Sequence, residues 1–66
     1  MEITVNGERH RLEAPLSVAA LLERLGMGGR RIAVEVNQAI VPKSAHASHQ
    51  LADGDRVELV QAIGGG

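Results

Sequence analysis

The chain has to build its hydrophobic core without a single aromatic or cysteine side chain. Its 66 residues include no Phe, Tyr, Trp or Cys, so neither a disulfide nor a thiolate metal site can support the fold. A chain of this length buries only about 60% of its unfolded surface, which leaves little room for a deep active-site cavity. The spacing of its Ile, Val and Leu residues therefore decides what it can fold into.

The first residues alternate between apolar and polar side chains, as a strand with one buried face does. Ile3 and Val5 are the apolar members, and Asn6-Gly7 follows them directly. Asn-Gly favours a type I′ hairpin turn because both central residues of that turn need a positive φ. The returning strand, which leads to Leu12, has a weaker apolar face, so we expect it at an edge of the sheet.

A helical pattern follows Pro15. Ser17 is a candidate N-cap. Apolar residues then recur at positions i, i+3, i+4 and i+7: Val18, Leu21, Leu22 and Leu25. Gly26 ends the helix after two to three turns. A helix this short is marginal alone, so its apolar stripe is expected to pack on a sheet.

Three more strands are predicted in the second half of the chain. Residues 31–37 form the third, and a turn at Asn37-Gln38 leads into a short fourth strand, Ala39–Val41, which Pro42 ends. A polar loop with one turn of helix covers residues 43–50. The sequence Asp53-Gly54-Asp55 is typical of a tight turn, and the last strand begins after it.

This order of elements predicts an α+β fold of the β-grasp, ubiquitin-like kind. The sheet is mixed, has four to five strands, and carries one main helix on one face. The first and last strands are expected to pair in parallel at its centre. We predict one domain, residues 1–63, followed by a flexible C-terminal glycine tail, residues 64–66.

Charge and composition disfavour several classes of function. Seven basic and eight acidic residues give a formal net charge of -1, whereas nucleic-acid binding usually needs a basic surface. No apolar run approaches the roughly 20 residues of a membrane span, and the first residues do not resemble a secretion signal. We expect a soluble cytoplasmic protein that binds neither nucleic acid nor membrane.

Polar residues that could hold a metal or act in catalysis have simpler interpretations. His46 and His49 are three residues apart, but no Cys or obvious third ligand accompanies them, so a solvated loop is favoured over a metal site. Asp53 and Asp55 suit a turn, where Asp accepts backbone hydrogen bonds. We predict no metal site and no catalytic residue in this chain.

Four pieces of sequence, taken in order, resemble the ThiS family, the sulfur carriers of thiamine biosynthesis. They are MEITVNGE at 1–8, VEVNQ with IVP at 34–42, LADGDRVELV at 51–60, and the final Gly65-Gly66. The chain departs from the family at two points. His46 stands where members often have Trp, and Val60 stands where many have an aromatic residue.

The resemblance implies chemistry at the end of the chain. The Gly66 carboxylate would be adenylated, converted to a thiocarboxylate, and would then donate sulfur for the thiazole of thiamine. Gly64 and Gly65 would enter partner active sites, where a narrow channel favours residues without a Cβ. The chain would be a carrier, not an enzyme, and would bind no cofactor itself.

The resemblance also implies partners. These are a ThiF-like, E1-like adenylating enzyme that uses MgATP, a ThiG-like thiazole synthase, and a sulfur donor such as a cysteine desulfurase or a rhodanese-type persulfide. Val60 and Ala62 should lie on the sheet face away from the helix, as a docking patch or as scattered apolar surface. Ile63 either anchors the tail or completes the core.

Other functions remain open on the sequence alone. The same carrier chemistry could serve molybdopterin, a thiolated tRNA base or a siderophore. An adenylated Gly66 could instead be joined to lysines, as in a ubiquitin-like protein modifier. A plain interaction module with an idle tail is the third possibility.

Overall fold

A computed structural model of the chain describes residues 1–61. These residues form a five-stranded sheet, one α-helix and one 3₁₀ turn: β1 (Glu2–Val5), β2 (Glu8–Arg11), α1 (Val18–Arg24), β3 (Ile32–Val36), β4 (Ala39–Val41), the 3₁₀ turn (Lys43–Ala45) and β5 (Arg56–Gln61). The strands lie in the order β2-β1-β5-β3-β4. β1 and β5 are parallel, and the other neighbouring pairs are antiparallel.

This topology confirms the predicted β-grasp fold, with the first and last strands paired in parallel at the centre and β2 at an edge. The predicted boundary between domain and tail, at residues 63 and 64, lies outside the described residues. No helix within residues 1–61 is long and apolar enough to cross a membrane.

Both predicted hairpin turns are present. Asn6 and Gly7 have φ values of 50° and 84°, and Asn37 and Gln38 have φ values of 52° and 70°. The first pair follows the Asn-Gly preference of the type I′ turn. Gln38 is less usual, because a side chain with a Cβ seldom takes a positive φ.

The helix packs its apolar stripe on one face of the sheet. Val18 and Leu21 are fully buried, and Leu25, at the end of the stripe, is only partly buried. Ser17 caps the helix as predicted, since its Oγ accepts a hydrogen bond from the Ala20 N–H at 3.1 Å. Within residues 1–61 the buried core is aliphatic throughout and consists of Ile3, Val5, Leu12, Val18, Leu21, Leu22, Val34, Val36, Val41, Leu51, Val57 and Leu59. The opposite face of the sheet carries no layer of its own within the described part of the chain.

Candidate functional site

The end of β5 is the part of the described structure nearest in sequence to the predicted site. Val60 lies there, one residue before the end of the strand. The other predicted site residues follow Gln61 and lie outside the described residues: Ala62, Ile63, Gly64, Gly65 and Gly66. Their roles stay predictions.

Val60 points away from the helix, as its place in the strand predicts. Its neighbour Leu59 is buried in the core, whereas Val60 is 63% exposed. The register places Val60 directly opposite Ala33 of β3, which is also exposed. The two side chains form a small apolar patch beside the point where β5 ends. The orientation of Val60 is confirmed, and its role in docking stays a prediction.

Acidic side chains lie next to this apolar patch. Glu35 of β3 is directly opposite Glu58 of β5, and both are exposed. Like charges at directly opposed positions destabilise a sheet slightly. Ile40 of β4 lies opposite Glu35 and is 78% exposed. The outer face of the sheet therefore offers apolar and acidic groups side by side.

The side chain of Asn6 holds the end of β5 in place. The Leu59 N–H donates to Asn6 Oδ1 at 2.7 Å, and Asn6 Nδ2 donates to the Leu59 carbonyl at 3.2 Å. β1 itself ends at Val5. The side-chain amide of Asn6 therefore extends the hydrogen bonding between β1 and β5 beyond the end of β1. The Asn-Gly pattern predicts only a turn at Asn6, and the contact with Leu59 is an additional feature of the structure. Local sequence cannot predict the contact between Asn6 and Leu59, since the two residues are 53 positions apart.

The two aspartates near the last turn make structural hydrogen bonds. Asp53 Oδ1 accepts from the Glu2 N–H at 2.7 Å. Asp55 accepts from the Ala52 N–H at 2.8 Å and from the Asn37 side-chain amide at 2.9 Å. These contacts tie the turn to β1 and to the β3–β4 hairpin. They agree with the prediction that both carboxylates serve the turn.

The histidines also contact the backbone. The ring of His46 does so, since its Nε2 lies 3.1 Å from the Val41 carbonyl. His49 takes part through its own main chain, where its backbone carbonyl accepts from the Val18 N–H at 3.0 Å. Residues 1–61 contain no group of three or more His, Cys, Asp or Glu side chains placed to hold a metal ion. None of their buried side-chain N or O atoms lacks a hydrogen-bond partner.

The sequence as a whole matches the model of the ThiS family over residues 2–66. The chain belongs to the ThiS family. The match includes the five residues after Gln61, so the glycine-rich end is part of the shared sequence.

Two full-length relatives carry the family name. The sulfur carrier protein ThiS of Escherichia coli is 38% identical over 66 residues, which is all of both chains. The crystal structure of a ThiS thiamine biosynthesis protein from Geobacter metallireducens superposes with a TM-score of 0.85, at 32% identity over all of both chains. That likeness agrees with the β-grasp topology described above.

Two other relatives of this ThiS-family chain are much longer. The thiazole synthases of Paramagnetospirillum magneticum and Magnetococcus marinus are 47% and 39% identical to it over 66 residues. The chain spans 20% of the length of each. In those two proteins a ThiS-like segment is therefore part of a larger polypeptide.

Proposed function

We propose that this chain is a sulfur carrier whose Gly66 carboxylate becomes a thiocarboxylate that supplies sulfur for the thiazole ring of thiamine. The observation that carries the proposal is similarity over the whole chain to the sulfur carrier ThiS of Escherichia coli. The two longer relatives support thiazole formation as the pathway, since their name is thiazole synthase. Joining a carrier to its acceptor enzyme in one polypeptide raises the effective concentration of the cargo.

The first step activates a poor electrophile. The carboxylate of Gly66 attacks the α-phosphorus of ATP, forms an acyl-adenylate and releases pyrophosphate. A carboxylate is charged and resonance-stabilised, whereas the adenylate has AMP as a good leaving group. We assign the Mg²⁺ and the groups that stabilise this transfer to an E1-like adenylating enzyme of the ThiF kind.

The second step brings in sulfur. The terminal sulfur of a persulfide, carried by a cysteine desulfurase or a rhodanese-type protein, attacks the acyl carbon and displaces AMP. The product is an acyl disulfide. A thiol then attacks the sulfur of the donor protein, which leaves the thiocarboxylate on Gly66 and a new disulfide between the thiol and the donor.

The domain contributes delivery to this chemistry. Gly64 and Gly65 let the end of the chain enter a narrow active site, because neither has a Cβ. Val60, Ala62 and Ile63 are the candidate docking residues, and exposure of Val60 on the outer face supports its assignment. The first step uses ATP and the second uses a persulfide and a thiol, so we place the protein in the cytoplasm.

Intact-mass spectrometry tests the proposal. The 66-residue chain is incubated with a ThiF-like enzyme, MgATP and a persulfide donor. We expect a mass gain equal to the difference between one sulfur and one oxygen atom, localised to Gly66. The chain has no Cys, so rapid alkylation of the loaded protein by iodoacetamide would report the thiocarboxylate directly.

Two variants provide the controls. Deletion of Gly66 should abolish the mass gain without changing the far-UV circular dichroism spectrum. Gly65→Ala should lower the rate of loading, because the added Cβ has to pass the same channel. Wild-type chain that never gains sulfur with a competent enzyme would refute the carrier function. Isopeptide-linked adducts on lysines of other proteins would favour the modifier function instead.

A further inference from the structure

β4 is shorter than the strand it pairs with, and this leaves a notch at the edge of the sheet. β4 pairs with β3 only from Val34 to Val36. After Val41 the chain turns away through Pro42 into the 3₁₀ turn. β3, however, extends to Ile32. We call the space beside Ile32, where β4 would continue, the β3 notch.

The backbone of Ile32 faces this notch. In an antiparallel ladder, successive residues direct their N–H and C=O groups to alternate sides. The Asn37 N–H donates to the Arg56 carbonyl at 2.8 Å, so odd-numbered residues of β3 face β5. Ile32 therefore faces the β4 side. Within residues 1–61 no backbone hydrogen bond outside the strand ladders involves Ile32.

The notch opens into a basic cleft of about 430 Å³. Its lining consists of Arg30, Arg31, Ile32, Ala33, Lys43 and His46. None of these six residues is acidic. His46 closes the end near β4, where its Nε2 lies 3.1 Å from the Val41 carbonyl. Ile32 and Ala33 provide the apolar part of the surface.

Within residues 1–61 no carboxylate lies within 4.0 Å of the cationic groups of Arg30, Arg31 and Lys43. Among the described residues the ion pair within 4.0 Å joins His10 to Glu8, on β2 at the other edge of the sheet. Glu23 of α1 lines an adjoining cleft of about 260 Å³, together with Arg30 and Lys43. The described residues that line the two clefts thus include three permanent cations, Arg30, Arg31 and Lys43, and one carboxylate, Glu23. The notch combines exposed positive charge with a strand edge.

We propose that the β3 notch binds an extended, acidic segment of a partner protein, which adds a short strand beside β3. The N–H and C=O of Ile32 hydrogen-bond to the backbone of the segment, as in other cases of strand addition. Arg30, Arg31 and Lys43 pair with its carboxylates. A phosphate ion could pair with the cations, but it has no extended backbone with which to continue the β3 ladder beside Ile32.

The test measures binding of a synthetic peptide, acetyl-Glu-Val-Asp-Val-Glu-amide, to the ¹⁵N-labelled 66-residue chain at about 0.15 M ionic strength, where the Debye length is about 8 Å and charges at the far edge of the sheet are screened. The variant R30E/R31E should lower the affinity about tenfold, which is the effect of losing two exposed ion pairs and replacing them with repulsion. R9E/R11E makes the same change of net charge on β2, at the opposite edge of the sheet. Its affinity should stay within about threefold of wild type.

Hydrogen exchange separates strand addition from simple charge attraction. Saturating peptide should slow exchange of the Ile32 amide, which gains a hydrogen bond, and should leave the Ala33 amide, which faces β5, unchanged. Inorganic phosphate and acetyl-Lys-Val-Lys-Val-Lys-amide serve as the comparison ligands.

Four results would overturn the proposal. They are no measurable binding of the acidic peptide, equal loss of affinity in the two arginine variants, an Ile32 amide whose exchange is unaffected, and competition by inorganic phosphate at the concentration of the peptide. This test needs no adenylating enzyme, so its outcome does not depend on the sulfur-carrier proposal.

Discussion

Replacing Asn6 with alanine should loosen the central pair of strands, β1 and β5. The Asn6 side chain makes two hydrogen bonds to the Leu59 backbone, at 2.7 and 3.2 Å, in a partly buried position. Asn6 also has a φ of 50°, in the left-handed region that Asn tolerates better than Ala. The substitution therefore removes two contacts and strains the turn at the same time.

The expected loss follows from these two effects. Two hydrogen bonds at about 0.5–1.5 kcal/mol each contribute about 1–3 kcal/mol to the free energy of unfolding. An alanine held in the left-handed region adds about 1 kcal/mol of strain. The sum is about 2–4 kcal/mol, against a total of roughly 3–10 kcal/mol for a domain of this size. Asn6→Ala should thus be one of the more damaging single changes at the surface of this fold.

Urea denaturation followed by far-UV circular dichroism is the appropriate assay, because the chain has no aromatic residue for fluorescence. Asn6→Gly is the matched control. It loses the same two hydrogen bonds but accepts the positive φ without strain, so its loss should be about 1 kcal/mol smaller. In both variants the amide of Leu59 should exchange faster, because the bond to Asn6 Oδ1 is gone.

Either of two results would refute this reasoning. A loss below about 0.5 kcal/mol in Asn6→Ala would mean that water replaces the side-chain bonds without a net effect. A glycine variant as stable as wild type would mean that backbone conformation alone accounts for the alanine result.

Two further substitutions test the docking patch and the helix cap. Val60→Asp should lower the free energy of unfolding by no more than about 1 kcal/mol, since the side chain is exposed and mainly its strand preference is lost, but should slow sulfur loading of Gly66 about tenfold by removing an apolar contact and adding a charge. Ile40→Asp is its control, because Ile40 is also exposed and lies on β4, two strands away from β5 in the sheet. Equal slowing in that variant would contradict a docking role specific to Val60. Ser17→Ala should lower stability by about 1 kcal/mol in urea denaturation, because the Ala20 N–H loses its partner. A variant as stable as wild type would show that the cap contributes nothing.

The elements of the fold were predictable because their signals are local. The Asn6-Gly7 turn follows from the conformational freedom of two adjacent residues, and both have the expected positive φ. The outward orientation of Val60 follows from period-two alternation with the buried Leu59. The parallel pairing of β1 with β5 joins strands that are distant in sequence. It was predicted from the order of the elements, and the structure confirms it.

The candidate site was predictable only in part. Gly66 was identified through the resemblance of the whole sequence to the ThiS family, since three glycines alone fit a frayed end equally well. The family match over residues 2–66 confirms that resemblance. The chemistry at Gly66 stays a proposal with its own experiment.

By itself, the sequence determined the strands, the turns, the helix cap and the aliphatic core, because each depends on spacing within a few residues. Only the tertiary structure decided which distant groups meet. It placed the Asn6 amide on the Leu59 backbone, and it brought Arg30, Arg31 and Lys43 around one cleft. It also left the Ile32 backbone facing an open edge, because β4 stops at Val41 while β3 continues. Such features depend on strand register and on where each strand ends relative to its neighbour, and no local preference specifies either.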